Sequence, residues 1–425
     1  SQYFVPEMGA PSVRTYDHCR RWVQAGHDVQ VITAFPNHPN GEIYPGYTNK
    51  LWEREEIDGI KVLRVLTYLT PGAGTVRRSI QYILFLIASV IGSLGTQKAD
   101  VVIGTSPQFL VALAAWAIAF VRRIPFVFEI RDLWPDSILA VGAIENPVFI
   151  GFLRMLERFL FNQASHIVVV TESFRERLQE EGVPPVKISV VTNSADIEIF
   201  SPKAKCEWLR QAYDVTDKFV ISYIGTHGMA HNLESVLEAA WQLRDEPKFH
   251  FFFVGEGAEK RELKKLRSQM RLRNITFVDR QPRELMPCWL ATTDLHVVHL
   301  KDNPLFRTVI PSKIFESLAM AKPMVLCVDG EARRLVESLG AGVYSPPGDG
   351  KKLAQTIRKL ASSPLWLKEM GQCGRLAAVK WYNRDSLSVR YLDLLAKIIG
   401  QPALQGQAIP EAITVSTDSR KRRAR

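Results

Sequence analysis

The feature that most constrains this chain is a rhythm stated twice: short β-branched runs alternating with longer stretches of helical period. Parallel strands need crossovers of a dozen or more residues, and helical crossovers cover the sheet, so the alternation specifies doubly wound parallel sheets. In the first half, strands are expected at 29–33, 60–65, 101–104, 126–130, 167–171 and 189–192. Gly26 suits a left-handed stop for the helix before the first of them. A break in composition follows, Asn193-Ser194-Ala195-Asp196 and then Phe200-Ser201-Pro202-Lys203. The second half resumes with strands at 219–225, 249–255, 275–278, 295–298 and 324–328, and with helices at 232–244, 259–271, 312–320, 331–339 and 351–361. Two Rossmann-like domains are therefore expected, 1–198 and 203–380, then a C-terminal helix within 381–400 and a basic, disordered tail over 401–425. Ser1-Gln2-Tyr3-Phe4 reads as the end of a strand that begins upstream.

At 425 residues each half can bury its own core, and 46% hydrophobic with 23% charged residues is a globular composition. The net charge of +10 is partly the tail, where five of the last six residues are basic; the remainder suits phosphorylated substrates or an anionic membrane surface. The basic residues are otherwise scattered, which disfavours a nucleic-acid interface. Five cysteines lie far apart and no Cys/His pair has metal-ligand spacing, so the chain reads as cytosolic and metal-free. Two apolar runs, 80–94 after Arg77-Arg78 and 109–121 before Arg122-Arg123, fall short of the roughly 20 residues a spanning helix needs. They suit buried helices; the first also suits a helix lying in a membrane face with its arginines on lipid phosphates.

Ligands of open α/β sheets bind beyond the carboxyl ends of the strands, and three such turns in the second half carry chemistry. Gly225-Thr226-His227-Gly228 and Gly255-Glu256-Gly257 are glycine turns that let backbone N–H groups approach an anion. The third is Lys301 to Glu316, where Pro311-Ser312 opens a helix, Lys301, Arg307 and Lys313 offer positive charge to a diphosphate, and Glu316 stands one turn in for a ribose diol. In the first half, Glu129-Ile130-Arg131-Asp132-Leu133-Trp134-Pro135-Asp136 leaves a strand. The three carboxylates, Glu129, Asp132 and Asp136, suit acceptor hydroxyls or proton handling and Trp134 a sugar face; helix capping for Asp132 and Asp136, core packing for the indole and a pairing of Arg131 with one of the carboxylates are the other reading.

On these residues the chain resembles family 4 of the retaining glycosyltransferases with the GT-B fold, two Rossmann-like domains facing across a cleft. The matching stretches are Tyr3-Phe4-Val5-Pro6-Glu7-Met8-Gly9-Ala10-Pro11, Gly26-His27-Asp28-Val29, Arg131-Asp132-Leu133-Trp134-Pro135-Asp136, Tyr223-Ile224-Gly225-Thr226-His227-Gly228, Val254-Gly255-Glu256-Gly257, Pro311-Ser312-Lys313-Ile314-Phe315-Glu316 and Gly340-Ala341-Gly342. It looks most like the branch that builds bacterial O-antigen and capsule, N-acetyl-L-fucosamine transferases included. The resemblance implies metal-independent, retaining transfer from a nucleotide-diphosphate sugar, UDP by default, to a lipid-linked or polysaccharide-repeat acceptor at the inner face of the plasma membrane. It implies donor contacts from Gly9, His227, Gly228, Gly255, Gly257, Arg280, Ser312 and Glu316, the last on the ribose, with Asp132 and Glu316 as catalytic residues and Asp132, Trp134 and Asp136 at the acceptor.

Two positions depart from the family pattern. Thr308 stands where the first glutamate of the E-x7-E motif belongs, and Thr226, His227 and His231 stand near the usual Arg and Lys of the phosphate-binding turn. Lys301 and Lys313 are expected to supply the lost charge. Other readings on the same fold are a non-hydrolysing nucleotide-sugar 2-epimerase and a catalytically decayed scaffold subunit of a polysaccharide assembly.

Overall fold

The computed structural model describes residues 1–402 except 8, 39–40, 70–74, 107 and 141–145. The expected tail therefore lies almost wholly outside the described residues. The chain divides into two compact units, Ser1–Thr192 with the last helix, and Asn193–Asn383.

In the first unit, α1 (Ala10–Gln24) precedes β1 (Gln30–Ala34), which pairs in parallel with β3 (Ile60–Val65), while β2 (Trp52–Ile57) runs antiparallel to β3. Asp58 and Gly59 join β2 to β3 with φ of 50° and 78°, the two positive values a tight primed hairpin turn requires. Gln2 lies alongside β1, its carbonyl accepting from the Ala34 N–H at 3.2 Å and the Thr33 hydroxyl at 3.0 Å. Then come α2 (Thr75–Ser93), β4 (Val102–Thr105), α3 (Phe109–Arg122), β5 (Phe126–Ile130), α4 (Asp136–Ala140), α5 (Pro147–Gln163), β6 (His166–Val169), α6 (Glu172–Glu180) and β7 (Ile188–Val190). Strands β4-β5-β6-β7 form a wholly parallel sheet in that order. Every residue of β5, Phe-Val-Phe-Glu-Ile, is buried, as expected of a parallel strand covered on both faces.

The second unit is one six-stranded parallel sheet in the order β10-β9-β8-β11-β12-β13. Its strands are β8 (Phe219–Ile224), β9 (Phe249–Val254), β10 (Ile275–Val278), β11 (Leu295–His299), β12 (Met324–Cys327) and β13 (Gly342–Tyr344). Helices α7 (Glu207–Ala212), α8 (Glu234–Gln242), α9 (Lys260–Gln269), α10 (Met286–Thr292), α11 (Lys313–Ala319), α12 (Glu331–Ser338), α13 (Gly350–Ala361) and α14 (Pro364–Trp381) complete it. Its core joins Ile221 and Tyr223 of β8 with Val236 of α8, Phe251 and Phe253 of β9, Val297 of β11 and Ile357 of α13. Strand order reverses between β8 and β11, so the loops leaving those two neighbours open the crevice where such sheets receive ligands.

The last helix, α15 (Arg384–Ile398), completes the first unit. It packs on α1: Tyr391 meets the rings of His18 and Trp22 edge-on at 5.5 and 5.3 Å, the Trp22 indole N–H donates to the Ser388 carbonyl at 3.3 Å, and Arg384 pairs with the buried Asp17.

Candidate active site

The turn after β8 and the turn after β9 are pressed together. A Cβ on Gly255 would stand 2.0 Å from the Gly225 carbonyl oxygen, and one on Gly257 would stand 2.3 Å from that of His227. Only glycine fits, and the φ of 142° at Gly255 points the same way. Between the turns the His227 N–H donates to the Glu256 carbonyl at 2.8 Å and the Glu259 N–H to the His227 carbonyl at 2.9 Å. Lys260 anchors the far side, its Nζ donating to the Gly255 carbonyl at 2.8 Å and to Asp279 at 2.6 Å. Neither Lys260 nor its role is signalled by a motif; its position three residues past a glycine turn was the available clue.

Lys313, the first residue of α11, reaches back across this turn. Its Nζ stands 3.9 Å from the centroid of the Tyr223 ring and so close to Gly225 that a Cβ there would come within 2.6 Å of it. The ammonium is sealed from solvent and has no hydrogen-bond partner among the described residues. Burial pushes its pKa down to about 7, with Glu316 acting the other way.

Around Lys313 stand four histidines, each held neutral first by burial. His227 is driven to about 3, by burial and then by Lys260 and Lys313; its ring is fully buried among Tyr223, Phe253 and Phe277, and neither ring nitrogen has a hydrogen-bond partner among the described residues. At the turn it contributes backbone rather than a side chain. His231 is also driven to about 3, with Nδ1 3.4 Å from the His299 carbonyl. His299, driven to about 4, accepts at Nε2 from the Gly348 N–H at 3.3 Å and lies 2.8 Å from the Ser235 hydroxyl. His296, driven to about 3, sits on Ser317 of α11 at 2.5 Å. With these rings uncharged, Lys313 is the cation nearest this turn that has no carboxylate bonded to it.

The other expected donor residues lie on the same loops. Gly228 and Glu316 are half-buried, and Ser312 precedes α11 without a side-chain cap. The Lys301 N–H ties its loop to the β8 turn through the Ala230 carbonyl at 2.8 Å, its side chain exposed. Arg280 is exposed beyond β10. Arg307 pairs with Asp302 at 2.9 Å, and the Thr308 hydroxyl donates to the Leu305 carbonyl at 2.6 Å.

In the first unit Gly9 is the cap residue of α1. Arg131 spends its guanidinium on the carbonyls of Ser106, at 2.9 and 2.7 Å, and Pro11, at 3.1 Å, rather than on a carboxylate. That fixes the chain at Asp132, whose carboxyl burial raises to about 6 against the pull of Arg131. Trp134 is half-buried and stacks on Phe109 at 5.6 Å and 18°. Asp136 opens α4 and pairs with Arg177 at 3.0 Å and Arg154 at 3.4 Å. The first carboxylate of that segment holds the strand ends together: Glu129 takes Arg14, which no motif announced, at 3.0 Å and the Thr105 hydroxyl at 2.9 Å, while Arg14 also reaches the carbonyls of Val191 and Thr192, each at 2.9 Å.

Residues 9–194 match the family described as "Glycosyl transferase 4-like domain", and residues 218–363 match "Glycosyl transferases group 1". WcaI of Escherichia coli strain K12, named for a glycosyl transferase step of colanic acid biosynthesis, is 28% identical over 355 residues, 81% of this chain and 86% of that protein. WbjE of Pseudomonas aeruginosa, named as a glycosyltransferase, is 25% identical over 63% of this chain and 68% of its own. Among solved structures, sucrose-phosphate synthase of Thermosynechococcus elongatus superposes with a TM-score of 0.74 at 15% identity, covering 92% of this chain and 94% of that one. Anabaena HepE in complex with UDP and glucose gives 0.68 at 17% identity, covering 93% and 98%.

Proposed function

This chain is a glycosyltransferase of the GT-B fold, and from that premise we propose that it moves a sugar from a UDP-linked donor to a growing bacterial surface glycan with retention of configuration. The observation that carries the reading is Lys313: its Nζ, buried and without a hydrogen-bond partner among the described residues, stands against the glycine turn at a strand-order reversal. A donor diphosphate satisfies it. HepE, which shares the fold, is in complex with UDP-glucose in another structure, which supports UDP as the carrier here. The name of the Escherichia coli relative supports the product class, since it is linked to colanic acid biosynthesis. An N-acetylated sugar, as in N-acetyl-L-fucosamine transfer, is the donor proposed from the family resemblance.

In the proposed reaction the bond from the anomeric carbon to the β-phosphate oxygen breaks and its electron pair stays on the diphosphate. Lys313 meets that developing charge, and the low-dielectric surroundings make the contact worth more than it is in water. Glu316 accepts from the ribose hydroxyls. The acceptor hydroxyl attacks the anomeric carbon from the face the diphosphate leaves, and its proton passes to the departing phosphate oxygen. From the family resemblance, Asp132, Trp134 and Asp136 of the first unit are the residues proposed to bind the acceptor. No metal is required in this scheme.

The acceptor is proposed to be lipid-linked and met at a membrane surface. On α2, Ile80, Ile83, Ile87 and Ile91, with Leu94 just beyond, form an exposed stripe at helical spacing, with Arg77 exposed in the first turn. The Arg78 side chain lies outside the described residues. Among those residues, no helix is long and apolar enough to cross a membrane, and a stripe of this kind lies on one instead. The deciding experiment for the whole reading is Lys313→Ala: kcat/KM for the UDP-sugar falls by about a hundredfold or more. An unchanged kcat/KM would remove the assignment.

A further inference from the structure

A second pocket lies in the first unit at the amino end of β5, opposite the end that carries Asp132. It has a volume of about 490 Å³ and is walled by Trp116, Phe120 and Phe126, with Arg123, Gln163 and Ser165 among its polar residues. Trp116 and Phe120, one turn apart on α3, stack at 5.7 Å and 29°, and Phe159 braces Trp116 edge-on at 4.9 Å. Phe120 is 71% exposed, a poor place for a benzyl ring unless something covers it.

The polar side chains here have one-sided hydrogen-bonding capacity. The Gln163 carbonyl oxygen accepts from the Trp116 indole at 3.4 Å, which leaves its amide N–H groups. The Ser165 oxygen accepts from the Phe126 N–H at 3.3 Å, which leaves its proton to donate. Arg123 differs from its neighbour. Arg122 is spent on carbonyls of the segment after α2, reaching Gln97 at 2.6 Å and Thr96 at 3.1 Å, whereas the Arg123 side chain is exposed and has no hydrogen-bond partner among the described residues. Arg123 ends α3 at φ 56°, a left-handed position that most side chains avoid. The rim thus presents donors and a positive charge beside a flat aromatic wall.

We propose that this pocket is a binding site, separate from the reaction centre, for a hexuronate of an acidic glycan chain. The C–H face of the pyranose would lie on Trp116 and Phe120, and its carboxylate would take the Arg123 guanidinium with the Gln163 and Ser165 donors. A neutral sugar would satisfy the wall but leave the cation unmet; a simple acid would meet the cation but leave the wall bare. The inference goes beyond the transfer reaction, and binding without donor tests it independently of Lys313.

The experiment titrates the full chain, without nucleotide, against a tetrasaccharide of alternating hexuronate and N-acetylhexosamine and against its carboxyl-reduced, neutral form. Calorimetry is expected to show the acidic form binding about tenfold tighter. Phe120→Ala weakens both by about tenfold, and Arg123→Asn, a residue that tolerates the left-handed backbone, brings the acidic form down to the neutral one. Thermal melts of both variants at the wild-type temperature show that the fold is kept. Equal binding of the two saccharides, or affinities unmoved by either variant, overturns the proposal. So does loss of binding to anionic phospholipid vesicles in Phe120→Ala by a protein that binds neither saccharide, because the pocket then serves a lipid.

Discussion

Lys313 is the residue on which the proposed reaction turns, and its protonation gives a test free of any acceptor. Its pKa in the empty protein is held at about 7 by burial. A bound diphosphate favours the charged form, so above pH 7 the lysine must take up a proton to bind UDP. Affinity for UDP is therefore expected to weaken as pH rises through about 7, with little contribution from this group below it. Calorimetry at pH 8 in two buffers of different ionisation enthalpy reads the proton uptake directly, and Lys313→Met abolishes it. A wild-type enthalpy independent of buffer would falsify the role given to this lysine. The glycine of the turn pressed against Gly225 makes a structural prediction. Gly255→Ala puts a methyl 2.0 Å from a backbone oxygen that is itself hemmed in, which costs about 3 kcal/mol in urea unfolding. Gly228→Ala, whose new methyl would meet nothing nearer than 3.4 Å and whose φ is not in the left-handed region, is the control and costs under about 1 kcal/mol.

Among the elements, those with a buried apolar run were legible in the sequence, and those without one were not. Ile60–Val65, Phe126–Ile130 and Ile275–Val278 stand where the β-branched runs put them, because burial keeps each of them mostly apolar: all of Phe126–Ile130 is buried, as are all but Lys61 of Ile60–Val65 and the two ends of Ile275–Val278. Trp52–Ile57 escaped: Trp-Glu-Arg-Glu-Glu-Ile is a charged edge strand whose side chains alternate between exposed and half-buried. The Asp58-Gly59 pair after it was the clue to the hairpin. Gly342–Tyr344 is three residues at the other sheet's edge, too short for a period to show. Helix α2 carries the opposite problem, an apolar sequence of which one face has no cover in the fold. If that face meets lipid, Ile83→Glu with Ile87→Glu lowers co-sedimentation with anionic vesicles at least tenfold while leaving donor affinity alone, since each charge inserted into hydrocarbon costs a few kcal/mol. Equal sedimentation of the variant would end the membrane reading of this helix.

For the molecule as a whole, ligand linkage is the plainest measurement. UDP is expected to raise the melting temperature more than GDP or ADP do at the same concentration, because only a ligand of the native state stabilises it. Transfer is expected to persist in EDTA; loss of turnover with recovery on adding a divalent cation would contradict the metal-free scheme. The last helix shows what a linear reading misses at this scale. The break at 193–203 is visible in composition, and the unit division falls at its start, between Thr192 and Asn193. That Arg384–Ile398 returns to the first unit is not visible, since it depends on Arg384 and Tyr391 meeting Asp17, His18 and Trp22 more than 360 positions away.

The sequence by itself determined the alternating α/β architecture of both halves, most of their strands and the turns on which donor chemistry should fall, because hydrophobic period and glycine placement are local properties of the chain. Only the tertiary structure decided what the side chains at those turns do. It turned His227 inward among phenylalanines, spent Arg131 on backbone carbonyls and tied Asp136 to Arg177. It also left Lys313 buried without a partner. Burial and partnership arise between residues distant in sequence, so the charge and pKa of a side chain are settled when the sheets are packed.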